Sequence, residues 1–309
     1  EKMILTVGMS PCIDVTARLD KFRLGKTNVA GEKTVTYAGK ANNVAVGIAR
    51  LGEKAFVTGF MYNENGSLFE KALDKEGIPF CFIWNPGRVR ENYKFIDKGG
   101  VLTEVNEEGR AVTGEKLSDL LDMVHAQAAK CEATVISGGA PKGTPATYYG
   151  ELTEAAKKSQ FVVADTYGDR LKAALSVGVD LIKPNLDELS QTFGKEFSTR
   201  EEQLEGAREL VKMGSKRVLL SLGGEGAMLV SAEEAYYCKS ARVEVESTVG
   251  AGDAMVAAAT IAMTKNKDLS EILRCAVAAG TAAVTEKGGS SFTKETYGKI
   301  YDSLETVRL

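Results

Sequence analysis

The sequence predicts an α/β protein with three layers, in which helices cover both faces of a mostly parallel sheet. Short β-branched runs alternate with segments of helical periodicity, and this alternation favours parallel strands connected by helices. Two stretches interrupt this order of strands and helices. Within them polar and apolar residues alternate, which indicates a second, smaller sheet. A chain of 309 residues is near the upper size for one hydrophobic core, so we expect one large domain with a small appendage.

The elements of the large sheet follow from two patterns. Six short apolar runs have the character of buried strands: 2–7, 55–59, 133–137, 161–164, 181–183 and 217–221. Six segments have helical patterns: 42–51, 68–75, 117–129, 145–158, 199–213 and 253–264. In such a sheet, ligands bind at the carboxyl ends of the strands.

The small sheet is expected from residues 13–37 and 81–110, which we interpret as antiparallel strands. Turn signals at Asn85-Pro86-Gly87 and Lys98-Gly99-Gly100 support this interpretation. We expect a discontinuous lid over a core of residues 1–12, 38–80 and 111–309. Such a lid would exclude water from a site, and its exposed sheet is a ready surface for a homodimer.

Composition excludes several classes of function. The net charge of −3 and the pI near 5.6 argue against a nucleic-acid binder. Five cysteines without a C-x-x-C pair, and a single histidine, argue against zinc, and the lack of a disulfide pattern suits a reducing compartment. No apolar run reaches transmembrane length, so we expect no membrane partner and a cytoplasmic location.

The turn Gly250-Ala251-Gly252-Asp253 precedes a helical pattern and has two interpretations. Its backbone N–H groups could form an anion cradle at a helix start, with Asp253 as a base that accepts a proton during phosphoryl transfer. Alternatively, the glycines make an ordinary turn and Asp253 caps the helix. Spacing alone leaves both open.

A basic strand is predicted at residues 88–95, where Arg88, Arg90, Asn92 and Lys94 alternate with apolar or acidic residues and therefore share one face. A solvated edge strand would carry such cations. Together with Lys40, however, they match a phosphate group at the far end of a substrate.

Three motifs resemble those of the PfkB family of ribokinase-like sugar kinases and occur in the same order along the chain. The resemblance covers essentially the whole chain. The motifs are Ala38-Gly39-Lys40-Ala41-Asn42-Asn43-Val44-Ala45, Lys183-Pro184-Asn185-Leu186-Asp187-Glu188 and Thr248-Val249-Gly250-Ala251-Gly252-Asp253. Ser10-Pro11-Cys12-Ile13-Asp14, with the basic strand, is similar to the branch of 1-phosphofructokinases and tagatose-6-phosphate kinases.

The resemblance implies a ribokinase-like fold and an enzyme that uses ATP and Mg²⁺ to phosphorylate a ketohexose phosphate. The expected reaction converts fructose 1-phosphate to fructose 1,6-bisphosphate. Tagatose 6-phosphate is the nearest competing acceptor. Two further candidates are a kinase for an unphosphorylated sugar or nucleoside, and a sensor of sugar phosphate or nucleotide without catalysis.

The resemblance also implies residue roles. Asp253 would be the base, next to an anion hole of Gly250, Ala251 and Gly252. The acceptor would be bound by Asp14, Gly39, Lys40, Asn43, Arg90, Asn92 and Lys94. The nucleotide would lie along Lys183, Asn185, Ser221, Gly223 and Gly226, with Asn185 and Glu188 holding Mg²⁺ directly or through water.

Three of these assignments have an alternative interpretation, in which the residues have a purely structural role. Asn185 and Glu188 could be a capping pair, the glycines after Ser221 a hairpin turn, and Asp14 a turn residue at a strand end. The chain also departs from the family pattern at Ala41, where glycine is common, and at Tyr167, where small residues are common. The Ala41 methyl either excludes a positive-φ conformation or fills space, which leaves the exact acceptor open.

Overall fold

The computed structural model describes residues 3–286 and 292–309, so Lys2 of the first predicted strand lies outside the described residues. The strands are β1 Met3–Gly8, β2 Cys12–Leu19, β3 Glu32–Ala38, β4 Ala55–Tyr62, β5 Phe80–Asn85, β6 Arg90–Asp97, β7 Leu102–Asn106, β8 Cys131–Ser137, β9 Phe161–Asp165, β10 Leu181–Ile182, β11 Val218–Ser221, β12 Ala227–Val230, β13 Ala235–Cys238 and β14 Thr306–Arg308.

The helices are α1 Lys40–Arg50, α2 Ser67–Lys75, α3 Gly114–Ala128, α4 Tyr148–Ala156, α5 Gly168–Val177, α6 Leu186–Phe193, α7 Arg200–Lys212, α8 Ala251–Thr264, α9 Leu269–Val284 and α10 Lys294–Ser303. None of these helices combines the length and the apolar character needed to cross a membrane.

The large sheet has the strand order β14-β13-β12-β11-β10-β9-β8-β1-β4-β5. From β5 to β11 neighbouring strands are parallel, whereas β12, β13 and β14 are added antiparallel at one edge. The predicted α/β fold with a mostly parallel sheet is confirmed, and the functional residues are expected where β1, β8, β9 and β10 end.

Two hydrophobic cores lie on opposite faces of this sheet. One contains residues of α1, α8, α9 and α10, and the other contains residues of α3 to α7. Successive strand residues point to opposite faces, so Ile4 joins the first core and Leu5 the second. In α8 every residue from Asp253 to Met263 is buried, which fixes the start of this helix within the protein.

The small sheet has the order β3-β2-β6-β7. We expected its strands to be antiparallel, but β2 and β6 pair in parallel, with Asp14 opposite Asn92. The reason lies in the large sheet. Since β1 and β5 run in the same direction there and lead into β2 and β6 respectively, both small-sheet strands also run the same way.

One segment assigned to the small sheet belongs to the large one. Strand β5 pairs in parallel with β4, so residues 81–85 extend the large sheet at its edge. Phe80, Phe82 and Trp84 lie along one side of β5 and contact one another through their rings. An edge strand with one apolar side shows the same alternation as a lid strand, which explains the wrong assignment.

Candidate active site

A cleft of about 240 Å³ lies between the two sheets. The large sheet contributes Gly8, Ser137 and Asp165 from the carboxyl ends of β1, β8 and β9, and the small sheet contributes Cys12 and Arg90. The cleft therefore occupies the edge at which parallel strands present ligand-binding residues.

Asp253 lies in the first turn of α8. The helix begins after Gly250, whose φ of +84° favours glycine, and no side chain of the described residues caps it. Asp253 is therefore not the helix cap, and the capping interpretation is wrong. Its buried carboxylate instead accepts a hydrogen bond from Asn43 Nδ2 at 2.7 Å.

The environment of Asp253 changes its acidity. Burial raises the pKa of the carboxyl to about 6; the positive charge of Lys40 and the Asn43 hydrogen bond oppose the rise, and the negative charge of Asp165 adds to it. A carboxyl with this pKa can be ionised at neutral pH and still be basic enough to accept a proton.

Asp165, at the end of β9, connects two lysines of the site. Its Oδ2 lies 3.1 Å from Lys40 Nζ and its Oδ1 lies 3.7 Å from Lys183 Nζ. Burial acts to raise the pKa of Asp165, but the two lysines together hold it below its ordinary value. Asp165 in turn raises the pKa of Lys40, so both groups stay charged.

Sequence reasoning gave Asp165 no role. The signal was present, because a carboxylate that directly follows a buried parallel strand lies at the ligand-binding edge of the sheet. Its partner Lys183 was assigned to the nucleotide, and the structure places this lysine beside the Gly252 turn. A Cβ at Gly252 would lie 3.1 Å from Lys183 Nζ, so glycine leaves room for the ammonium at the helix start.

The N–H groups of the predicted anion hole differ in their bonding. Ala251 N–H donates a long hydrogen bond, 3.4 Å, to the Thr248 carbonyl. Gly252 lies in the first turn, where N–H groups have no acceptor within the helix. A cation and helix N–H groups thus meet at this turn, which favours a bound anion.

In the small sheet, Asp14 accepts hydrogen bonds from two of the residues predicted to bind the acceptor. Its Oδ1 accepts from Asn92 Nδ2 at 3.2 Å and its Oδ2 from Lys94 Nζ at 2.9 Å. The positive charge of Lys94 is therefore neutralised within the sheet. Arg90 Nη1 donates to Asn92 Oδ1 at 3.1 Å. Arg88 precedes β6 and forms an ion pair with Glu91.

The remaining acceptor-side residues lie at the start of α1. Gly39 precedes this helix, and a Cβ at Gly39 would lie 3.2 Å from Pro11 Cα, so the Ser10-Pro11 segment packs closely there. Ala41 is helical and buried, and its Cβ would lie 2.7 Å from a Cβ at Gly8. The Ala41 methyl therefore fills space beside β1.

The nucleotide-side residues form a helix cap and a hairpin turn. Asn185 Oδ1 accepts from Glu188 N at 2.8 Å and Glu188 Oε2 from Asn185 N at 3.0 Å, which is a capping box for α6. Ser221 N donates to the Pro184 carbonyl at 3.0 Å, which brings both segments together. Gly223 and Gly226 form the turn between the antiparallel strands β11 and β12.

A metal at this site would need ligands beyond the protein side chains. Within residues 3–286 and 292–309, no three His, Cys, Asp or Glu side chains are close enough to hold a metal ion together. Glu188 Oε1 takes no part in the capping box, so one carboxylate oxygen fits a cation whose other ligands are phosphates and water.

The chain is similar to known carbohydrate kinases over nearly its whole length. Residues 1–296 match the family described as pfkB family carbohydrate kinase. A 1-phosphofructokinase from Rhodobacter capsulatus is 33% identical over 288 residues, covering 92% of this chain and 91% of the relative. A 1-phosphofructokinase from Vibrio cholerae is 28% identical over 309 residues, covering 100% and 98%.

A solved structure is similar in fold. The phosphofructokinase-2 from Escherichia coli in complex with fructose-6-phosphate superposes with a TM-score of 0.89 at 28% identity, covering 98% of this chain and 99% of that one. The likeness thus extends over both sheets and the cleft between them.

Replacing Asp165 with asparagine is expected to destabilise the protein by about 3 kcal/mol, because two lysines would lose their buried counter-charge. Urea unfolding of Asp165→Asn measures this loss. The control is Asp169→Asn, which removes an exposed ion pair with Lys172 and should cost less than about 0.5 kcal/mol. Equal small losses in both variants would show that Asp165 does not hold the site together.

Proposed function

Because the chain belongs to the pfkB family of carbohydrate kinases, we propose that it transfers the γ-phosphoryl group of ATP to fructose 1-phosphate and forms fructose 1,6-bisphosphate. The two relatives named 1-phosphofructokinase support this choice of acceptor. The observation that carries the proposal is the buried Asp253 carboxylate at the start of α8, between Asn43 and the cluster of Asp165, Lys40 and Lys183.

Asp253 acts as the general base. It accepts the proton of the attacking hydroxyl, and the Asn43 hydrogen bond fixes the orientation of its carboxylate. Lys183 and the first-turn N–H groups of α8 stabilise the charge on the phosphoryl group during transfer. These donors are in place before the reaction, so little reorganisation accompanies it.

The acceptor lies against the small sheet. Asp14 accepts hydrogen bonds from Asn92, Lys94 and the Cys12 thiol, and a carboxylate has a further lone pair with which to accept from a sugar hydroxyl. Gly39 and Asn43 at the start of α1 complete this side, and Asn92 positions both Asp14 and Arg90. Arg90 binds the phosphate that the sugar already carries, and Lys40 and Lys94 orient the Asp165 and Asp14 carboxylates with which they pair.

The nucleotide lies on the other side of Asp253, along Lys183, Asn185, Ser221, Gly223 and Gly226. Mg²⁺, when bound with ATP, neutralises phosphate charge and orients the transferring group. Glu188 would hold this cation through Oε1 or through water. Asn185 fixes Glu188 through the capping box, which makes its contribution one of positioning.

A substrate panel tests the proposal. Fructose 1-phosphate, fructose 6-phosphate, tagatose 6-phosphate, fructose, ribose and adenosine are each supplied with ATP and Mg²⁺, and the product is identified by NMR. We expect fructose 1-phosphate to have the highest kcat/KM. Preferred turnover of an unphosphorylated sugar or nucleoside would contradict the proposal, and ligand binding without ADP release would indicate a sensor.

We also propose that two copies associate through the small sheet. Val35, Val15, Tyr93 and Val105 are paired in register across all four strands, on the face opposite Asp14. Val35 and Val105, at the two ends of this apolar row, are 41% and 56% exposed. Val15, in the middle of the row, is already buried in the core, so a second small sheet would cover chiefly the two exposed valines.

Light scattering coupled to gel filtration tests this association. Val105→Asp is expected to convert a dimer to a monomer, because it places a charge within the apolar row. Val307→Asp, at an exposed position on the edge of the large sheet, is the matched control and should leave the mass unchanged. A monomeric native protein would refute the proposed dimer.

Asp253→Asn is expected to lower kcat by at least about 10²-fold, since loss of a general base typically costs that much. ATP binding should change little, because the substitution retains the size of the side chain. Steady-state kinetics and nucleotide titration measure the two effects. Near-normal turnover would mean that another group accepts the proton.

The dependence of kcat/KM on pH should report the acidity of Asp253. The base is active only when ionised, so kcat/KM should fall as pH decreases through about 6. Asn43→Ala removes a hydrogen bond that lowers this pKa, so its acidic limb should move to higher pH. A limb at the same pH in both proteins would assign it to a different group.

A further inference from the structure

Tyr167 and Arg170, at the start of α5, have no part in the proposed function, although Tyr167 lines the cleft and Arg170 lies next to it. Tyr167 lines the cleft and is 43% exposed, which is unusual for so large an aromatic side chain. The Arg170 guanidinium carbon lies 5.8 Å from the centre of the Tyr167 ring. A cation held over a ring at this distance has its orientation restricted by a cation–π interaction.

Arg170 lies beside Gly139. A Cβ at Gly139 would lie 3.8 Å from Arg170 Nη1, and Gly139 itself lines the cleft. The neighbouring Gly138 carbonyl accepts from Tyr149 OH at 2.7 Å. Burial raises the pKa of Tyr149 and the positive charge of Arg170 opposes that rise, which agrees with a cation close to this backbone. Since Gly139 has no side chain, no Cβ lies between its backbone and the guanidinium.

The charge of Arg170 has no acidic partner in the part of the chain that the structure describes. The adjacent Asp169 pairs with Lys172 at 3.3 Å instead. Arg170 also lies in the first turn of α5, where the helix dipole disfavours a cation. A cation at an unfavourable helix position, with an aromatic ring as its contact in place of a carboxylate, indicates a functional position.

Among the described residues, the lysines near the cleft are already paired with carboxylates, whereas Arg90 is not. Lys40 and Lys94 are paired with Asp165 and Asp14 at 3.1 Å and 2.9 Å. Arg90 has no acidic partner among the described residues, and its buried Nε has no hydrogen-bond acceptor there. Ser137 Oγ, also buried and without a partner among these residues, lines the same cleft and could donate to a phosphate oxygen.

We propose that Arg170 is a specificity-determining residue that binds, together with Arg90, the phosphate already present on the acceptor. Two guanidinium groups, approaching from the small sheet and from the start of α5, present paired N–H donors that match a phosphate geometrically. Tyr167 holds Arg170 in place. This inference rests on the proposed function, because it concerns the acceptor of that reaction.

Kinetics of Arg170→Ala test the inference, with fructose 1-phosphate, fructose and ATP each varied in turn. We expect KM for fructose 1-phosphate to rise at least about tenfold, as is typical for loss of a charge-assisted hydrogen bond. The kcat, the KM for ATP and any KM for fructose should change by less than about twofold. Arg170→Lys retains the charge without the paired donors and should give an intermediate KM.

Arg208→Ala is the matched control, because Arg208 is an exposed arginine on α7, which packs against β11 and β12 away from the cleft. Its KM for fructose 1-phosphate should equal that of the native protein. An unchanged KM for fructose 1-phosphate in Arg170→Ala, or an equal rise in KM for ATP, would overturn the inference and leave the proposed function intact.

A binding measurement separates the two proposals if the native protein phosphorylates no sugar phosphate. In that case the proposed function fails. Inorganic phosphate, titrated into native protein and Arg170→Ala and followed by ³¹P NMR, still tests Arg170. Binding that weakens at least about tenfold in Arg170→Ala would support the anion site, and equal binding would refute it.

Discussion

The site depends on one buried interaction, the carboxylate of Asp165 between the ammonium groups of Lys40 and Lys183. It joins the start of α1, the end of β9 and the segment after β10, three parts of the chain that are distant in sequence. A buried charge is costly unless it is paired, so each of the three groups is held in place by the others. Lys183 thereby reaches the Gly252 turn, and the charges around Asp253 are set.

The small sheet contributes the residues that would bind the acceptor. The parallel pairing of β2 and β6 places Asp14, Asn92 and Lys94 together. Asp14 thereby neutralises the charge of Lys94. Beside the cleft, Arg90 and Arg170 have no acidic partner in the described chain. An acceptor with hydroxyls at one end and a phosphate at the other would complement this arrangement, with its reactive hydroxyl next to Asp253.

The sequence was sufficient for the fold class and for the turn that carries Asp253, because period, glycine placement and three motifs agree there. It was insufficient where two structures share one pattern. The alternation of polar and apolar residues in β5 is compatible with an edge strand of the parallel sheet and with a lid strand. The spacing of Asn185 and Glu188 is likewise compatible with a capping box and with a pair of metal ligands. The pairing of Lys94 with Asp14, or of Lys40 with Asp165, depends on tertiary contacts across 80 and 125 positions, which a local pattern does not encode.

The most direct test of this account is the pKa of Asp253, measured by ¹³C NMR of labelled aspartate and assigned by the signal that Asp253→Asn removes. The measurement does not require catalytic activity. We expect a pKa of about 6 in the native protein, a lower value in Asp165→Asn and a higher one in Lys40→Met, since Asp165 raises this pKa and Lys40 lowers it. An ordinary aspartate pKa in all three proteins would contradict the claim that burial, together with the charges of Asp165 and Lys40, sets the acidity of the base.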